Sequence, residues 1–442
     1  MVITKRDFLN QMAAAMAATF SPAKLRAGRI ARWHVSKSLQ LQMYDTALRI
    51  ARSKIRGGPD DPYFKKPFTD AAFSSNIFYW DTCLISTYAK YHIDSLPVHN
   101  ALDNFYRLQD ADGFICREYT KEGRPFWSKE HPVGTNPPLL AFAELQLYQT
   151  SSDKLRLAAV YPKLQRHFEW LVANFRAADG LFISDGLGSG MDNIPRYPDG
   201  WQDDGEGIPL LQLFPKIYNY NDLSAAWNRQ GRSVDMSAQM ALFARNMATI
   251  AAHTGQESDV AAYEKLHRSF AEAVNDLCWH EKDGFYYDLG YGKHIRRKHI
   301  GMFWTLIADI VPKERLARLL RHLTSSGEFW RMCPLATYPA DQAQFNSKGG
   351  YWLGSVWAPT NYMAIIGLEH IGRHDLASEL AHQYYWCVAE VFKKTGTFWE
   401  NYAPDAAEPG IPSAPDFCGW TALAPIALWH EYIKDGVKRA HM

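Results

Sequence analysis

Residues 232–254 read RSVDMSAQMALFARNMATIAAHT, and residues 257–278, two positions further on, read ESDVAAYEKLHRSFAEAVNDLC. In the first stretch, apolar side chains recur with the spacing of an amphipathic helix, at Val234, Met236, Met240, Leu242, Phe243 and Ile250. The second stretch continues the same periodicity. Two helical patterns joined by so short a connection predict an antiparallel helical hairpin.

Helical periodicity of this kind recurs in twelve blocks, at about 38–54, 76–92, 96–108, 136–150, 154–176, 232–254, 257–278, 299–311, 313–323, 355–370, 373–393 and 418–434. Several blocks form close pairs, and longer segments rich in Gly, Pro, Asp and Trp separate the pairs. This arrangement predicts an all-α fold, the (α/α)6 toroid or barrel of six helical hairpins. In such a toroid an inner ring packs against an outer ring, and the long loops gather over one end.

The long segments contain Asp-Gly pairs at residues 112–113, 179–180 and 283–284, each followed by aromatic or aliphatic residues. These pairs predict tight turns that close short strands or hairpins. No linker or low-complexity tract interrupts residues 36–442, so we expect them to form a single domain.

Residues 1–35 are predicted to form either an export leader or a cap segment. Lys5-Arg6, followed by an apolar stretch at 12–20 and Ser21-Pro22-Ala23, resembles a twin-arginine leader. Basic residues soon after position 23 favour an amphipathic helix instead. Two localisations therefore stay open. The protein is exported or periplasmic if residues 1–23 act as a leader, and cytoplasmic otherwise.

The composition excludes several classes of partner. The 48 Lys and Arg residues nearly balance the 47 Asp and Glu residues, which gives no support to nucleic acid or an anionic membrane as partner. Beyond the N-terminus no apolar run reaches the length of a membrane span. The six cysteines form no CxxC pair and no zinc-ligand spacing, so we expect neither a disulfide framework nor a metal site. They are Cys83, Cys116, Cys278, Cys333, Cys387 and Cys418.

Two acidic segments, about two hundred residues apart, suggest the chemistry. Asp192 lies in GSGMDNIPR at 188–196, and Glu400 lies in GTFWENY at 396–402. Taken singly, Asp192 is typical of a tight turn and Glu400 of a surface residue. Together, two loop carboxyl groups among aromatic rings suit hydrolysis of a sugar acetal. One carboxyl protonates the leaving oxygen, and the other stays ionised to activate water or to attack the anomeric carbon.

Other segments add residues suited to holding a sugar. Trp80-Asp81 opens the second helical block, and KGGYWLGSVWAPTNY at 348–362 combines glycines with three large aromatic rings. The predicted substrate contacts are Trp80, Asp81, Asn193, Arg196, Tyr351, Trp352, Trp357, Asn361, Trp399 and Trp420. An anionic leaving group would require a cation, for which the candidates are Arg117, Arg124, Arg196 and Lys348.

These segments resemble the clan of (α/α)6 inverting α-glycosidases that contains glycoside hydrolase families 63 and 37. The similar stretches are 78–81, 188–196, 349–362 and 398–402 with its continuation 417–421. The compact length is most similar to the bacterial mannosylglycerate/glucosylglycerate hydrolase branch of family 63. The resemblance implies that 36–442 is the catalytic domain.

The resemblance also implies roles for individual residues. Asp192 matches the general acid of the family and Glu400 its general base. Asp81 matches a residue that holds the sugar, and Trp352 and Trp357 match the pocket wall. The chain departs from the family pattern at position 353, where leucine replaces a common arginine, and the motif typical of trehalases is absent.

We therefore predict an inverting, exo-acting α-glycosidase that hydrolyses a short α-glucoside or α-mannoside and requires no cofactor or metal. The expected partner is a small carbohydrate, and the sequence does not predict the oligomeric state. The alternatives are a trehalase-like disaccharide hydrolase, a sugar epimerase or lyase on a similar barrel, and a non-catalytic sugar-binding protein. An epimerase would use paired histidines, for which the sequence offers His131, His167 and His280.

Overall fold

A computed structural model describes residues 32–71, 74–129, 134–183, 187–196, 231–417 and 419–434. The helices in these ranges are α1 (Lys37–Ser53), α2 (Tyr79–Ala89), α3 (His99–Leu108), α4 (Leu140–Ser151), α5 (Lys154–Phe175), α6 (Val234–Thr254), α7 (Glu257–Leu277), α8 (Trp304–Ile307), α9 (Lys313–Leu323), α10 (Ala358–His370), α11 (His374–Thr395) and α12 (Ala424–Ile433). Helix α12 is a wide, π-type helix. Each of the twelve predicted blocks contains one of these helices.

Alternate helices form a closed inner ring. Along the series α2, α4, α6, α8 and α10, each helix packs against the next. The short 3₁₀ turn Trp420–Leu423, which leads into α12, packs against both α10 and α2 and completes the circle. Around this ring, α5 packs against α4 and α6, and α11 packs against α10 and α12. The predicted (α/α)6 toroid is confirmed.

The sequence pattern separates inner from outer helices. Every residue of α2 is buried, and in α10 only Glu369 and His370 are not. Outer helix α9 instead buries a stripe of three side chains, Leu319, Leu320 and Leu323. A helix that is apolar all round must be enclosed by protein, whereas an amphipathic helix lies at the surface.

Long and short connections lie at opposite ends of the barrel. The links from inner to outer helices are brief, such as 152–153 between α4 and α5 and 255–256 between α6 and α7. The links from outer to inner helices are long, such as 109–139 and 324–357. The inner helices therefore run parallel, and the long loops gather at the end where these helices begin. We call this end the mouth.

The strands are two-residue pieces within the long loops. They are β1 (Ile55–Arg56), β2 (Phe68–Thr69), β3 (Ile77–Phe78), β4 (Glu118–Tyr119), β5 (Gly231–Arg232), β6 (Trp279–His280), β7 (Phe285–Tyr286), β8 (Leu289–Gly290) and β9 (Lys293–His294). The pairings among these strands are antiparallel: β1 with β2, β3 with β4, β6 with β7, and β8 with both β5 and β9.

The Asp-Gly predictions are confirmed in full at two of three positions. The pair at 283–284 closes the hairpin of β6 and β7, and the pair at 179–180 closes a bridge between Arg176 and Phe182. At 112–113 the tight turn is present, with Asp110 donating to the carbonyl of Phe114, but no strand pair flanks it. Gly113 donates to the carbonyl of Asp110 in a turn that follows α3 directly, and the next strand begins only at Glu118.

One disulfide corrects the cysteine prediction. Cys333 and Cys387 are bonded, with Cα atoms 5.6 Å apart, and the bond joins the loop before α10 to α11. The two residues are 54 positions apart, and connectivity of this kind cannot be deduced from spacing alone. Cys83, Cys116 and Cys278 are buried free thiols, as expected of small core residues. Cys418 lies outside the described residues.

Within the described ranges, no helix combines the length and apolarity needed to cross a membrane. The same part of the chain contains no group of three or more His, Cys, Asp or Glu side chains arranged to hold a metal ion. The predicted leader at 1–23 lies outside the described residues.

Candidate active site

The loop that follows α11 carries Glu400 back to the mouth. Gly396 ends α11 in the left-handed conformation, with φ of 75°, which glycine adopts without strain. Further along, the backbone N–H of Glu400 donates to the carbonyl of Ala414 at 2.9 Å. Tyr402 then pairs with Val356, just before α10. Glu400 therefore lies beside the beginning of an inner helix, in a half-buried position.

Asp192 lies on a loop that packs closely on an indole ring. Gly190 has φ of 76°, and a β-carbon there would lie 2.6 Å from Cζ2 of Trp80. Only glycine allows this approach and this backbone conformation together. Because Trp80 belongs to the first turn of α2, the contact places the loop of Asp192 over the mouth.

Asn193 joins this loop to the opposite wall. Its Nδ2 donates to the carbonyl of Gly350 at 3.0 Å, and its Oδ1 accepts the N–H of Trp352 at 2.9 Å. The predicted contact of Asn193 with a substrate hydroxyl stays a prediction. Its amide bridges two loops and so holds the neighbouring Asp192 in place.

Five aromatic rings pack together between the two loops. Trp352 and Trp357 stack in parallel, with centroids 3.9 Å apart. Trp420 meets both Trp80 and Trp357 edge-on, at 5.3 and 5.6 Å, and Tyr351 meets Trp357 edge-on at 5.0 Å. All four indoles are buried, and Tyr351 is half-buried. The indoles of the 348–362 segment thus pack into the protein, and Tyr351 is its most exposed ring.

Asp81 lies in the first turn of α2 and is 5% exposed. Burial raises the pKa of Asp81 to about 8, and the charge of Asp192 also raises it, against opposing effects of its own backbone N–H and Arg117. The expected hydroxyl-accepting carboxylate is therefore mainly a neutral carboxyl at pH 7. In that form Asp81 both donates and accepts hydrogen bonds.

Glu400 is perturbed in the same direction. Burial raises its pKa to about 7, and the charge of Asp192 adds to the rise, whereas the Ala414 N–H and the Tyr351 hydroxyl lower it. That hydroxyl lies 3.4 Å from Oε1 of Glu400. Since the charge of Asp192 acts on both Asp81 and Glu400, the three carboxyl groups share one partly desolvated space.

Arg117 provides a cation next to this space. Its Nη2 lies 4.0 Å from Oδ1 of Asp192, and its Nη1 donates to the carbonyl of Leu187. The guanidinium also lies 5.4 Å from the ring centroid of Trp127. Of the cations proposed for an anionic leaving group, this one lies at the site, whereas Arg124 and Lys348 are exposed residues of the outer loops.

Two predicted contacts require correction. Arg196 is 4% exposed, and its guanidinium is bonded to Asp235 and Asp288. Asn361 is completely buried, and its Nδ2 donates to the carbonyl of Trp357 within the first turn of α10. Both side chains therefore point into protein and not into the space around the carboxyl groups.

Trp399 contacts both the end of α11 and the turn before α12. It is half-buried, and its indole N–H donates to the hydroxyl of Thr395 at the end of α11, 3.2 Å away. Its carbonyl accepts the hydroxyl of Thr421 at 2.7 Å, which ties the loop of Glu400 to the turn before α12.

Two buried polar residues near the site, Glu118 and Asn136, were not predicted from the sequence. Glu118 accepts from Nδ2 of Asn76 at 2.7 Å and from the indole of Trp127 at 3.0 Å. Asn136 precedes α4 at the mouth and is 3% exposed, yet neither of its amide atoms has a hydrogen-bond partner among the described residues. A buried amide without partners marks a place where another polar group is expected. Glu118 lies among glycines and aromatic residues at 113–127, the same signal that marked Glu400, whereas no aromatic residue flanks Asn136.

Comparison with known proteins identifies the family. The model for the mannosylglycerate hydrolase MGH1-like glycoside hydrolase domain matches residues 75–421. This match covers most of the chain and every site residue described above. The chain belongs to this family. Residues 75–421 therefore form a glycoside hydrolase domain.

Named relatives of this glycoside hydrolase agree with that assignment. It is 29% identical over 184 residues to a mannosylglycerate hydrolase from Rubrobacter radiotolerans, which covers 40% of this chain and 39% of the relative. It is 23% identical over 367 residues to a putative periplasmic trehalase from Salmonella typhi, covering 74% and 60%. An uncharacterised Borreliella burgdorferi protein is 26% identical over 340 residues, covering 75% and 65%. The chain spans less than two thirds of the length of these relatives.

Solved structures share the fold of this glycoside hydrolase. The family 63 mannosylglycerate hydrolase from Thermus thermophilus in complex with glucose superposes with a TM-score of 0.69 at 21% identity, covering 88% of this chain and all of that one. The neutral trehalase from Saccharomyces cerevisiae gives a TM-score of 0.58 at 14% identity, covering 82% and 73%.

The histidines considered for an epimerase lie elsewhere in this glycoside hydrolase. Burial lowers the pKa of His167 to about 4, and its Nδ1 bonds the carbonyl of Gly113 on the outer side of the barrel. His280 in β6 pairs with Asp283. His131 lies outside the described residues.

Proposed function

We propose that this glycoside hydrolase removes a single α-linked sugar from a short substrate with inversion at the anomeric carbon. The observation that carries the proposal is that the loops of Asp192 and Glu400 meet the same segment: Asn193 bonds to Gly350 and Trp352, and the hydroxyl of Tyr351 between them lies 3.4 Å from Glu400. Two carboxyl groups with different surroundings are the requirement for acid and base to act on opposite faces of a sugar.

In this mechanism Asp192 donates its proton to the glycosidic oxygen as the bond to the anomeric carbon breaks. Glu400 removes a proton from a water molecule, whose oxygen bonds to the opposite face of that carbon. Glu400 must be ionised for this step, and the Tyr351 hydroxyl favours its charged form. Asp81, whose pKa is raised to about 8 by burial, offers one donor and one acceptor to sugar hydroxyls in its protonated form.

The stereochemical outcome tests the mechanism directly. Proton NMR during the first minutes of turnover should show the β-anomer of the released sugar. Initial release of the α-anomer would instead indicate a retaining double displacement. An unsaturated product would indicate a lyase, an epimerised free sugar an epimerase, and no turnover a binding protein.

Substitution of the two carboxyl groups tests their roles. Asp192→Asn and Glu400→Gln should each remove nearly all turnover while the circular dichroism spectrum stays that of the wild type. Glu408→Gln is the matched control, since Glu408 is an exposed glutamate on the same loop as Glu400. Retention of roughly a tenth of kcat in either site variant would show that the wrong residue was assigned, because acid–base catalysis contributes about 10²–10⁴-fold.

For the substrate, we propose an α-glucoside or α-mannoside with an anionic leaving group. Arg117 supports this choice, because a guanidinium next to the acid lies on the side from which the leaving group departs. The mannosylglycerate hydrolase relative points to the same class. The trehalase relative favours a neutral disaccharide as the second candidate. A panel of mannosylglycerate, glucosylglycerate, trehalose and other α-linked disaccharides separates the two.

The disulfide bears on localisation. Bonds of this kind persist mainly in oxidising compartments, so Cys333–Cys387 favours an exported protein over a cytoplasmic one. Fractionation of the native host, with an antibody to the chain, tests this proposal.

A further inference from the structure

A buried cluster of four ionisable side chains lies behind the loop of Asp192. Arg196 donates from Nε and Nη2 to Oδ2 of Asp288, at 3.1 and 3.0 Å, and from Nη2 to Oδ1 of Asp235, at 2.6 Å. The same Oδ2 of Asp288 accepts from Nε2 of His299 at 3.1 Å. Each of the four residues is at most 4% exposed. We call these residues the arginine cluster.

The arginine cluster joins the acid loop to two inner helices. Asp235 belongs to the first turn of α6, and Oδ1 of Asp288 accepts the N–H of Val234, the first residue of that helix. His299 immediately precedes the 3₁₀ turn Ile300–Phe303, which continues into α8. Arg196 is thus the point at which a loop residue is bonded to the rigid ring by charge-assisted hydrogen bonds, which are roughly twice as strong as neutral ones.

The loop meets the same cluster on the other side of Asp192 as well. A β-carbon added to Gly301 would lie 2.9 Å from Cε of Met191, 2.8 Å from Oδ2 of Asp235 and 2.9 Å from Nδ1 of His299. Met191 therefore packs against the cluster through the space that Gly301 leaves open. The loop therefore contacts the arginine cluster through Met191, just before Asp192, and through Arg196, after it.

We infer that Arg196, Asp235, Asp288 and His299 are positioning residues that hold the carboxyl of Asp192 at proton-transfer distance from the leaving oxygen; the inference rests on the proposed function. General acids work within about 2.6–3.2 Å of their partner, and a displacement of about 1 Å can reduce the rate about 100-fold. Burying ion pairs is a poor way to gain stability, because desolvation offsets much of the attraction. We therefore attribute the charged residues of the arginine cluster to fixed geometry next to Asp192 and not to a gain in stability.

Two substrates that differ in whether the leaving group needs a proton test whether Asp192 is correctly placed. When an α-glycosyl fluoride is hydrolysed, the C–F bond breaks, water bonds to the anomeric carbon, and Glu400 takes the proton of that water. Fluoride departs without needing a proton from Asp192. With an alkyl or sugar leaving group, the departing oxygen must receive that proton. The ratio of kcat/KM between an α-glycoside and the matching fluoride therefore reports on the acid alone.

The first variant is Arg196→Lys, which keeps the charge but loses the forked geometry. We expect kcat/KM for the α-glycoside to fall about 100-fold, while that for α-D-glucosyl or α-D-mannosyl fluoride falls less than about fivefold. Arg156→Lys is the matched control. Arg156 is also bonded to two carboxylates, Glu144 and Asp103, but lies on α5, away from the acid loop. It should leave the ratio at its wild-type value.

A second variant covers the case in which Arg196→Lys does not fold. Gly301→Ala removes no charge, but its added β-carbon displaces Met191 and the arginine cluster. The ratio of kcat/KM between the α-glycoside and the matching fluoride should therefore fall at least tenfold. Equal losses on both substrates, or an unchanged ratio in a folded variant, would overturn the inference. Asp192→Asn is the reference and should show the same selective loss. If it does not, the assignment of the acid itself fails, and the positioning role fails with it.

Discussion

At the scale of single residues, protonation of Glu400 should cause the fall in kcat/KM at acidic pH. Its pKa is raised to about 7 by burial, and a general base must be deprotonated to act. As pH falls below about 7, the inactive protonated form accumulates, and kcat/KM should fall about tenfold per pH unit. Initial rates from pH 4 to 9 measure this limb, and a limb centred near pH 4.5 would show that burial does not raise the pKa of the base.

Arg117 should matter for the charge of the leaving group. Its guanidinium lies 4.0 Å from Asp192, on the side where the leaving group is proposed to depart. Arg117→Met removes the positive charge, so kcat/KM for mannosylglycerate or glucosylglycerate should fall about tenfold more than kcat/KM for a neutral α-linked disaccharide. Arg124→Met, at an exposed arginine, is the control. Equal losses on both substrates in Arg117→Met would separate Arg117 from recognition of the leaving group.

The sequence predicted which segments build the site better than it predicted what each side chain does. Asp192, Glu400 and the rings of Trp80, Trp352 and Trp357 stood out, because carboxyl groups among glycines and aromatics have few structural uses in loops. Arg196 and Asn193 lie in the same loop, but their bonding depends on residues roughly forty to one hundred and sixty positions away. Local sequence contains no signal for such partners.

At the scale of elements, the contact between Gly190 and Trp80 should be essential for activity. Gly190→Ala places a β-carbon 2.6 Å from the indole and also strains a backbone with φ of 76°. We expect at least a tenfold loss of kcat/KM and about 1–3 kcal/mol of destabilisation. The measurements are initial rates and urea unfolding.

Gly372→Ala provides the control for that variant. Gly372 has a similar φ of 73°, but a β-carbon there would meet no described atom within 4 Å, in the short turn between α10 and α11. It should lose stability through backbone strain and keep full activity. Equal loss of activity in both variants would mean that strain, and not the contact with Trp80, explains the effect.

The disulfide should stabilise the loop before α10 against unfolding. Closing a loop with a sequence separation of 54 residues is worth roughly 4 kcal/mol in the chain-entropy model, and measured values are often about 2–4 kcal/mol. Treatment with dithiothreitol should therefore lower the midpoint of urea unfolding. The double variant Cys333→Ala with Cys387→Ala should start from the lower midpoint and not respond to the reductant; a response would implicate other thiols.

At the scale of the whole molecule, the toroid was predictable because its two rings leave different periodicities in the sequence. Inner helices such as α2 and α10 are apolar all round, outer ones such as α9 carry a stripe, and short links alternate with long ones. The disulfide between the loop before α10 and α11 was not predictable, and neither was the way α1 packs against α11 and α12 to close the outer ring. Both depend on contacts between parts of the chain that are far apart in the sequence.

The same architecture makes stability depend on pH through Asp81. Enclosing this carboxyl at the mouth raises its pKa to about 8, whereas an unfolded aspartate titrates near 3.9. Between about pH 4 and pH 8 the folded state holds a proton that the unfolded state has lost. Since the folded state binds more protons, the free energy of unfolding must fall as pH rises, by up to roughly 1.4 kcal/mol per pH unit from this group.

Asp81→Asn should remove this contribution, because asparagine does not titrate. We expect the variant to gain stability relative to the wild type as pH rises from about 4 to about 8, with a constant difference outside that window. Taking the difference between the two proteins cancels the titrating groups that lie far from Asp81, which are common to both. Urea unfolding at each pH measures it, with exposed Asp60→Asn as the control. A difference that stays flat across the window would mean that Asp81 is ionised in the folded protein, and that it meets the sugar as a charged acceptor after all.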